Sequence, residues 1–100
     1  MDIAHQIGLI AGAARDYQHG LMSLETLIYR VEGILAVLEG HALEDEISKA
    51  LFDLEYVNAH TELPDYDFEA RGRSTVERAV KEIIAKSELY ARGSDSLPSD

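Results

Sequence analysis

The run SLETLIYRVEGILAVLEG, from Ser23 to Gly40, decides the fold. Leu24, Leu27, Ile28, Val31, Ile34, Leu35 and Leu38 return every three or four residues, the spacing that gathers side chains on one face of an α-helix. Ser23 offers its hydroxyl to the free N–H groups of the first turn, and Gly40 takes readily to the left-handed conformation that stops a helix. A helix with one wide apolar face has to bury that face against other elements, so this segment belongs at the centre of the protein.

The flanking segments repeat the pattern. Ile3, Ile7, Ile10, Ala14 and Tyr17 form a stripe that predicts a first helix from Asp2, as cap, to about His19, ended by Gly20. On the far side of Gly40, Leu43, Ile47, Ala50, Leu51, Leu54 and Val57 form a third stripe, and the opposite face of that helix carries Glu46, Lys49, Asp53, Tyr56 and His60. The pattern then fails through TELPDYDFEARG, residues 61–72, where Pro64 disfavours helix at Leu63 and Gly72 allows a turn. Ser74-Thr75-Val76-Glu77 reads as a capping box opening a fourth helix, with Val76, Val80, Ile83, Ile84 and Ser87 on its inner face before Leu89, Tyr90 and Gly93. Four amphipathic helices joined by short connections and one longer one predict an all-α fold, an antiparallel four-helix bundle over residues 1–92. Residues 93–100, GSDSLPSD, are expected to form a disordered polar tail.

With 100 residues, 46% of them hydrophobic, the chain makes one domain with one core. It has no cysteine, so disulfides, thiolate metal sites and thiol nucleophiles are out of reach, and the cytoplasm is the expected compartment. No apolar run approaches a membrane span, and an N-terminus that opens with Asp2 and lacks basic residues does not read as a signal peptide.

Charge is the informative quantity. Between Glu39 and Glu69 lie ten carboxylates and one cation, Lys49, which gives that segment −9 of the chain's net −10. Residues 70–92, by contrast, sum to +3 with both signs interspersed. A concentrated acidic surface attracts basic partners and repels nucleic acid and anionic membrane. A solvated face that only keeps the protein soluble is the plainer reading, but crowding like charges costs self-repulsion, and Tyr56, Tyr66 and Phe68 stand among them as interface anchors would. The residues expected to contact a partner are Glu46, Asp53, Tyr56, Asp65, Tyr66, Asp67 and Glu69.

Catalytic chemistry is not expected. His5, His19, His41 and His60 are scattered over different elements with no metal-ligand spacing, so neither a metal nor a cofactor is called for. His19 and His41 flank helix ends, where a cation or a hydrogen bond to a free carbonyl accounts for them. Ser23 and Ser74 read as caps and stand in no nucleophile motif. Asp65, Asp67 and Glu69 alternate, yet the glycine and the closing glutamate of a calcium-binding EF-hand loop are missing. The seven glycines are too dispersed for a phosphate loop, although Gly8-Leu-Ile-Ala-Gly12 lets another helix come close.

The stretch LIAGAARDYQHGLMSLETLIYRVEGIL, followed by an acidic helix ending LFDLEYVNAH, resembles the small all-helical bacterial immunity proteins of the colicin D type. The likeness spans about residues 6–60. It lies in a first helix ending at Tyr17 and Gly20, a Ser23-Leu24-Glu25 start to the second, and an aromatic, Phe52 or Tyr56, near the end of the third. The dense acidic loop Asp65 to Glu69 and the polar tail depart from it. The resemblance implies a bundle that covers the active site of a basic toxin nuclease, often one that cleaves transfer RNA, with acidic side chains. The expected partner is therefore a basic protein toxin, with no direct nucleic-acid or membrane contact. The alternatives are a phosphate-mimicking inhibitor of another nucleic-acid-binding complex and a homo-oligomeric structural or regulatory bundle. The latter would pair the first helix with its copy through Gly8, Ala11, Gly12, Ala13 and Ala14.

Overall fold

A computed structural model describes residues 2–95. The fold is all-α: helices α1 (Ile3–Gln18), α2 (Leu24–Val37), α3 (Ala42–His60) and α4 (Arg73–Asp95), with no strand among the described residues. Neighbours in sequence are neighbours in space. α4 packs most extensively on α1 and then on α3, while α1 meets α2 and α2 meets α3, which closes the ring of an up-down-up-down four-helix bundle. The stripes meet at the axis, where Ile7, Ile10, Leu27, Val31, Leu43, Ile47, Leu54 and Ile83 are all sealed from solvent.

The starts and stops follow local chemistry. Asp2 Oδ1 accepts from the His5 N–H at 3.2 Å, and Ser23 Oγ accepts from the Thr26 N–H at 3.2 Å. Gly20 and Gly40, at φ 75° and 80°, hold the left-handed positions that let the chain reverse after α1 and α2. His41 departs from expectation. Its ring neither pairs with a carbonyl nor acts as a cation at the end of α2. Instead Nδ1 accepts from the Leu43 N–H at 3.0 Å and caps the start of α3, while the ring sits edge-on to Tyr90 at 5.7 Å.

The second correction concerns the start of the last helix. The Ser74 capping box does not form: the chain is already helical at Ser74, because a five-residue π-helical turn, Phe68–Gly72, runs straight into α4. Asp67 is the cap, its Oδ1 accepting from the Ala70 N–H at 3.1 Å, and Glu77 pairs with Arg73. Gly72 makes this possible. It is buried so tightly that a Cβ there would stand 2.6 Å from the Tyr66 hydroxyl, 2.9 Å from the Phe68 ring and 2.9 Å from Val57. With no side chain in the way, the loop's two aromatics lie down on the backbone, and the helix begins a turn early. The long connection shrinks accordingly to residues 61–67.

Three smaller differences matter for function. Ile3, expected in the core, is exposed, whereas Ala11, Ala13 and Ala14 are buried in the single chain. Ser87 is fully buried in α4 with no hydrogen-bond partner for its hydroxyl, a polar group held in the core at a cost in stability. α4 runs past Gly93 to Asp95, into the stretch expected to be a polar tail, and residues 96–100 of that tail lie outside the described residues.

Candidate functional site

The seven residues marked out by the sequence end up in four different settings. Glu46 and Asp53 lean toward α4, where Lys86 Nζ lies 3.1 Å from Glu46 Oε2 and the Arg78 guanidinium 3.8 Å from Asp53 Oδ2. The Lys86 ammonium is held above its ordinary pKa first by the hydrogen bond to Glu46 and then by that group's charge. Asp67 and Glu69 serve the chain itself, the first as the cap of the π-helical turn and the second as partner of Arg73 at 2.6 Å. Tyr56 and Tyr66 come together around His60: the Tyr56 ring stacks on it at 4.0 Å, Tyr66 tilts against it at 5.7 Å, and His60 Nδ1 is 2.8 Å from the Tyr56 carbonyl. Asp65 stands exposed at the loop tip. On the α3–α4 side, then, Glu46 and Asp53 are each met by a cation of the last helix.

The uncompensated acid lies on the other flank of α3. A cleft of about 330 Å³ between α2 and α3 is lined by Glu25, Tyr29 and Glu32 from one helix and Glu55 and Asn58 from the other, with no cation in its wall. Tyr29 lines it and is 66% exposed, and Phe52 and Tyr56, 63% and 54% exposed, lie on the solvent side of α3 next to Glu55 in helical register. Their places follow from helical spacing: Glu25, Tyr29 and Glu32 fall on one face of α2, and Phe52, Glu55, Tyr56 and Ala59 on one face of α3. Lys49, the only cation of α3, sits one turn before Phe52. Sequence reasoning missed Glu25, Glu32 and Glu55 as a set. Glu25 and Glu32 lie outside the acidic run, and only the packing of α2 on α3 brings them to Glu55.

Glu55 and Glu32 face each other in this cleft. The hydrogen bond from Glu32 holds the Glu55 carboxyl above the usual carboxylate range, and burial and the Glu32 charge push the same way. Because the folded pKa is raised, this pair favours the fold fully below the ordinary glutamate range. That contribution is lost as the pH rises through the raised value, leaving two like charges face to face. Glu55→Gln keeps a hydrogen-bond donor and removes the repulsion. It is expected to raise stability near pH 7 by a few tenths of a kcal/mol, small because Glu55 is exposed and screened. At about pH 4 the gain should vanish. Urea unfolding of both proteins at the two pH values checks this, and curves that shift in parallel would show that the Glu32–Glu55 contact does not set the pH dependence.

A cavity of about 610 Å³ near the end of α1 is lined by Tyr17, Met22, Phe68, Arg73 and Val76 among others. Burial raises the Tyr17 hydroxyl pKa, the nearby Arg73 opposes it, and Arg73 is already engaged by Glu69 and Glu77. Among the described residues no three His, Asp or Glu side chains converge as metal ligands would, and no helix is long and apolar enough to cross a membrane. What the geometry offers is an acidic cleft between two helices, edged by exposed aromatic rings. Comparison with known proteins finds no matching family model, no matching curated sequence and no matching solved structure.

Proposed function

We propose that this chain is an inhibitor-type binding protein that neutralises a basic toxin nuclease in the bacterial cytoplasm, as immunity proteins do, by lying over its active site with an acidic surface. The observation that carries the reading is the α2–α3 seam: Glu25, Glu32 and Glu55 without a cation in the cleft wall, beside exposed Tyr29, Phe52 and Tyr56. A nuclease cleft presents Lys and Arg side chains arranged for phosphates, and carboxylates at comparable spacing offer them the same negative charge that the phosphates would. The charges steer the encounter and fix orientation, while the rings supply apolar area that closes against pockets and excludes water. Asp65 and Tyr66, at the end of α3, extend the surface toward the loop.

The Glu32–Glu55 contact gives this surface a defined response to a partner. A lysine or arginine entering between them supplies the missing counter-charge and relieves the like-charge contact that the free protein tolerates near pH 7. The activity is stoichiometric binding, with no bond made or broken.

The test uses the product of the gene adjacent to this one, an immunity gene normally lying beside its toxin. Its cleavage of transfer RNA is titrated with this chain. Inhibition should saturate at one to one and weaken as salt rises. Glu25→Lys with Glu32→Lys should raise the inhibitory concentration by about tenfold or more, with helicity unchanged because the second substitution sets an ammonium opposite Glu55. A neighbour with no nuclease activity, or equal inhibition by wild type and variant, would remove the proposal.

A further inference from the structure

A groove of about 480 Å³ between α1 and α2, apart from the α2–α3 cleft except for the shared Tyr29, is floored by Gly8, Gly12 and Gly33. All three sit in helix interiors, where glycine costs up to about 1 kcal/mol each relative to alanine. The usual reasons for accepting that cost are missing. None of the three has a positive φ, and a Cβ built at any of them meets nothing within 4 Å. Their neighbours within the bundle therefore do not require them to be small, which leaves an approach from outside. The rim is apolar as well: Leu9 and Val37 are 43% and 50% exposed, and Val37 continues into a second shallow recess with exposed Ile3.

Charge identifies the occupant. Two copies of a chain with net charge −10 repel through most of their surface, and two α2–α3 clefts brought together would set carboxylates against carboxylates. The groove wall instead holds one charge of each sign, Asp16 from α1 and Arg30 from α2, and neither forms an ion pair among the described residues. An interface with twofold symmetry must be complementary to itself. One anion and one cation on the same face satisfy that requirement, since the rotation sets Arg30 of each copy against Asp16 of the other. We infer that the α1–α2 groove is the face through which two copies of this chain associate, with Leu9 of each copy seated over the glycine floor of the other and two reciprocal Arg30–Asp16 pairs flanking the contact. This inference rests on residues other than those of the nuclease reading, Tyr29 apart, which lines both surfaces.

Sedimentation equilibrium of the purified full chain tests it with no other protein present. The expected result is a species of twice 11.1 kDa that dissociates on dilution. Gly12→Leu and Gly33→Leu should each weaken association by about tenfold or more, because the added side chain fills the space Leu9 needs. Circular dichroism should show both folded, since the added atoms enter open space in the single chain. Arg30→Asp should also weaken association, and Arg30→Asp with Asp16→Arg should restore it, a rescue that a foreign occupant or a different face would not give. A wild-type protein that stays at 11.1 kDa at every concentration overturns the inference. So does a dimer that neither the leucine nor the charge variants weaken.

Discussion

Leu54→Ala should lower the free energy of unfolding by about 3 kcal/mol, read from urea denaturation, the cost of deleting a fully enclosed leucine and leaving a partly collapsed cavity. Leu54 is 0% exposed and stands in the middle of the α3 stripe between Ala50 and Val57. Its position gives the loss a second meaning. The residues on either side of it face opposite ways, Asp53 toward Arg78 on α4 and Glu55 toward Glu32 on α2, so Leu54 is the apolar keel that sets the roll of α3 between its two neighbours. Loosening it should weaken both of those contacts, and the pH dependence contributed by Glu55 should shrink along with stability. A loss below about 1 kcal/mol would mean that the α3 stripe does not sit at the centre of the core.

The second large effect is expected at Gly72. Gly72→Ala should cost about 2 kcal/mol, the range for forcing an extra methyl into packed surroundings. The Tyr66 hydroxyl at 2.6 Å is the far end of a ring and can move aside, but Val57 and Phe68, both at 2.9 Å, are held by the core they pack against. The displaced Tyr66 would leave His60, against which it tilts, so the variant should also alter the near-ultraviolet circular dichroism of the tyrosines. An unchanged unfolding midpoint would show that the π-helical turn is not clamped at this residue.

The bundle itself is legible in the sequence because its evidence is local. The stripe of α2 repeats within a single segment, Ser23 caps through a hydroxyl that reaches only three residues on, and Gly20 and Gly40 work through their own backbones, so nothing distant has to be known. The entry into α4 misleads for the same reason. Ser74 to Glu77 has the composition of a capping box, but the helix is already nucleated by Asp67 and by aromatic side chains resting on a buried glycine, a contact that includes Val57 from α3. The acidic site is half legible. Counting charge along the chain finds α3, but cannot show that Glu46 meets Lys86, forty residues on, or that Asp53 meets Arg78. The same long-range packing assembles Glu25, Glu32 and Glu55, two of which lie outside the acidic run. Sequence order assigns charge to segments, whereas the fold assigns it to faces.

The pairing of α4 with α3 has a consequence for how the molecule meets others. Lys86 and Arg78 blunt the negative potential on one flank of α3, while no cation lines the cleft on the flank toward α2. The protein is therefore polarised about its long axis, like a rod painted along one side, and a cationic body drifting within a Debye length, about 8 Å in physiological salt, experiences a torque before it experiences contact. Collisions from the α4 side are turned, and those from the painted side are kept. Removing the cations of α4 would spread the paint around the rod, leaving the protein more negative in total yet a poorer guide to its own binding face.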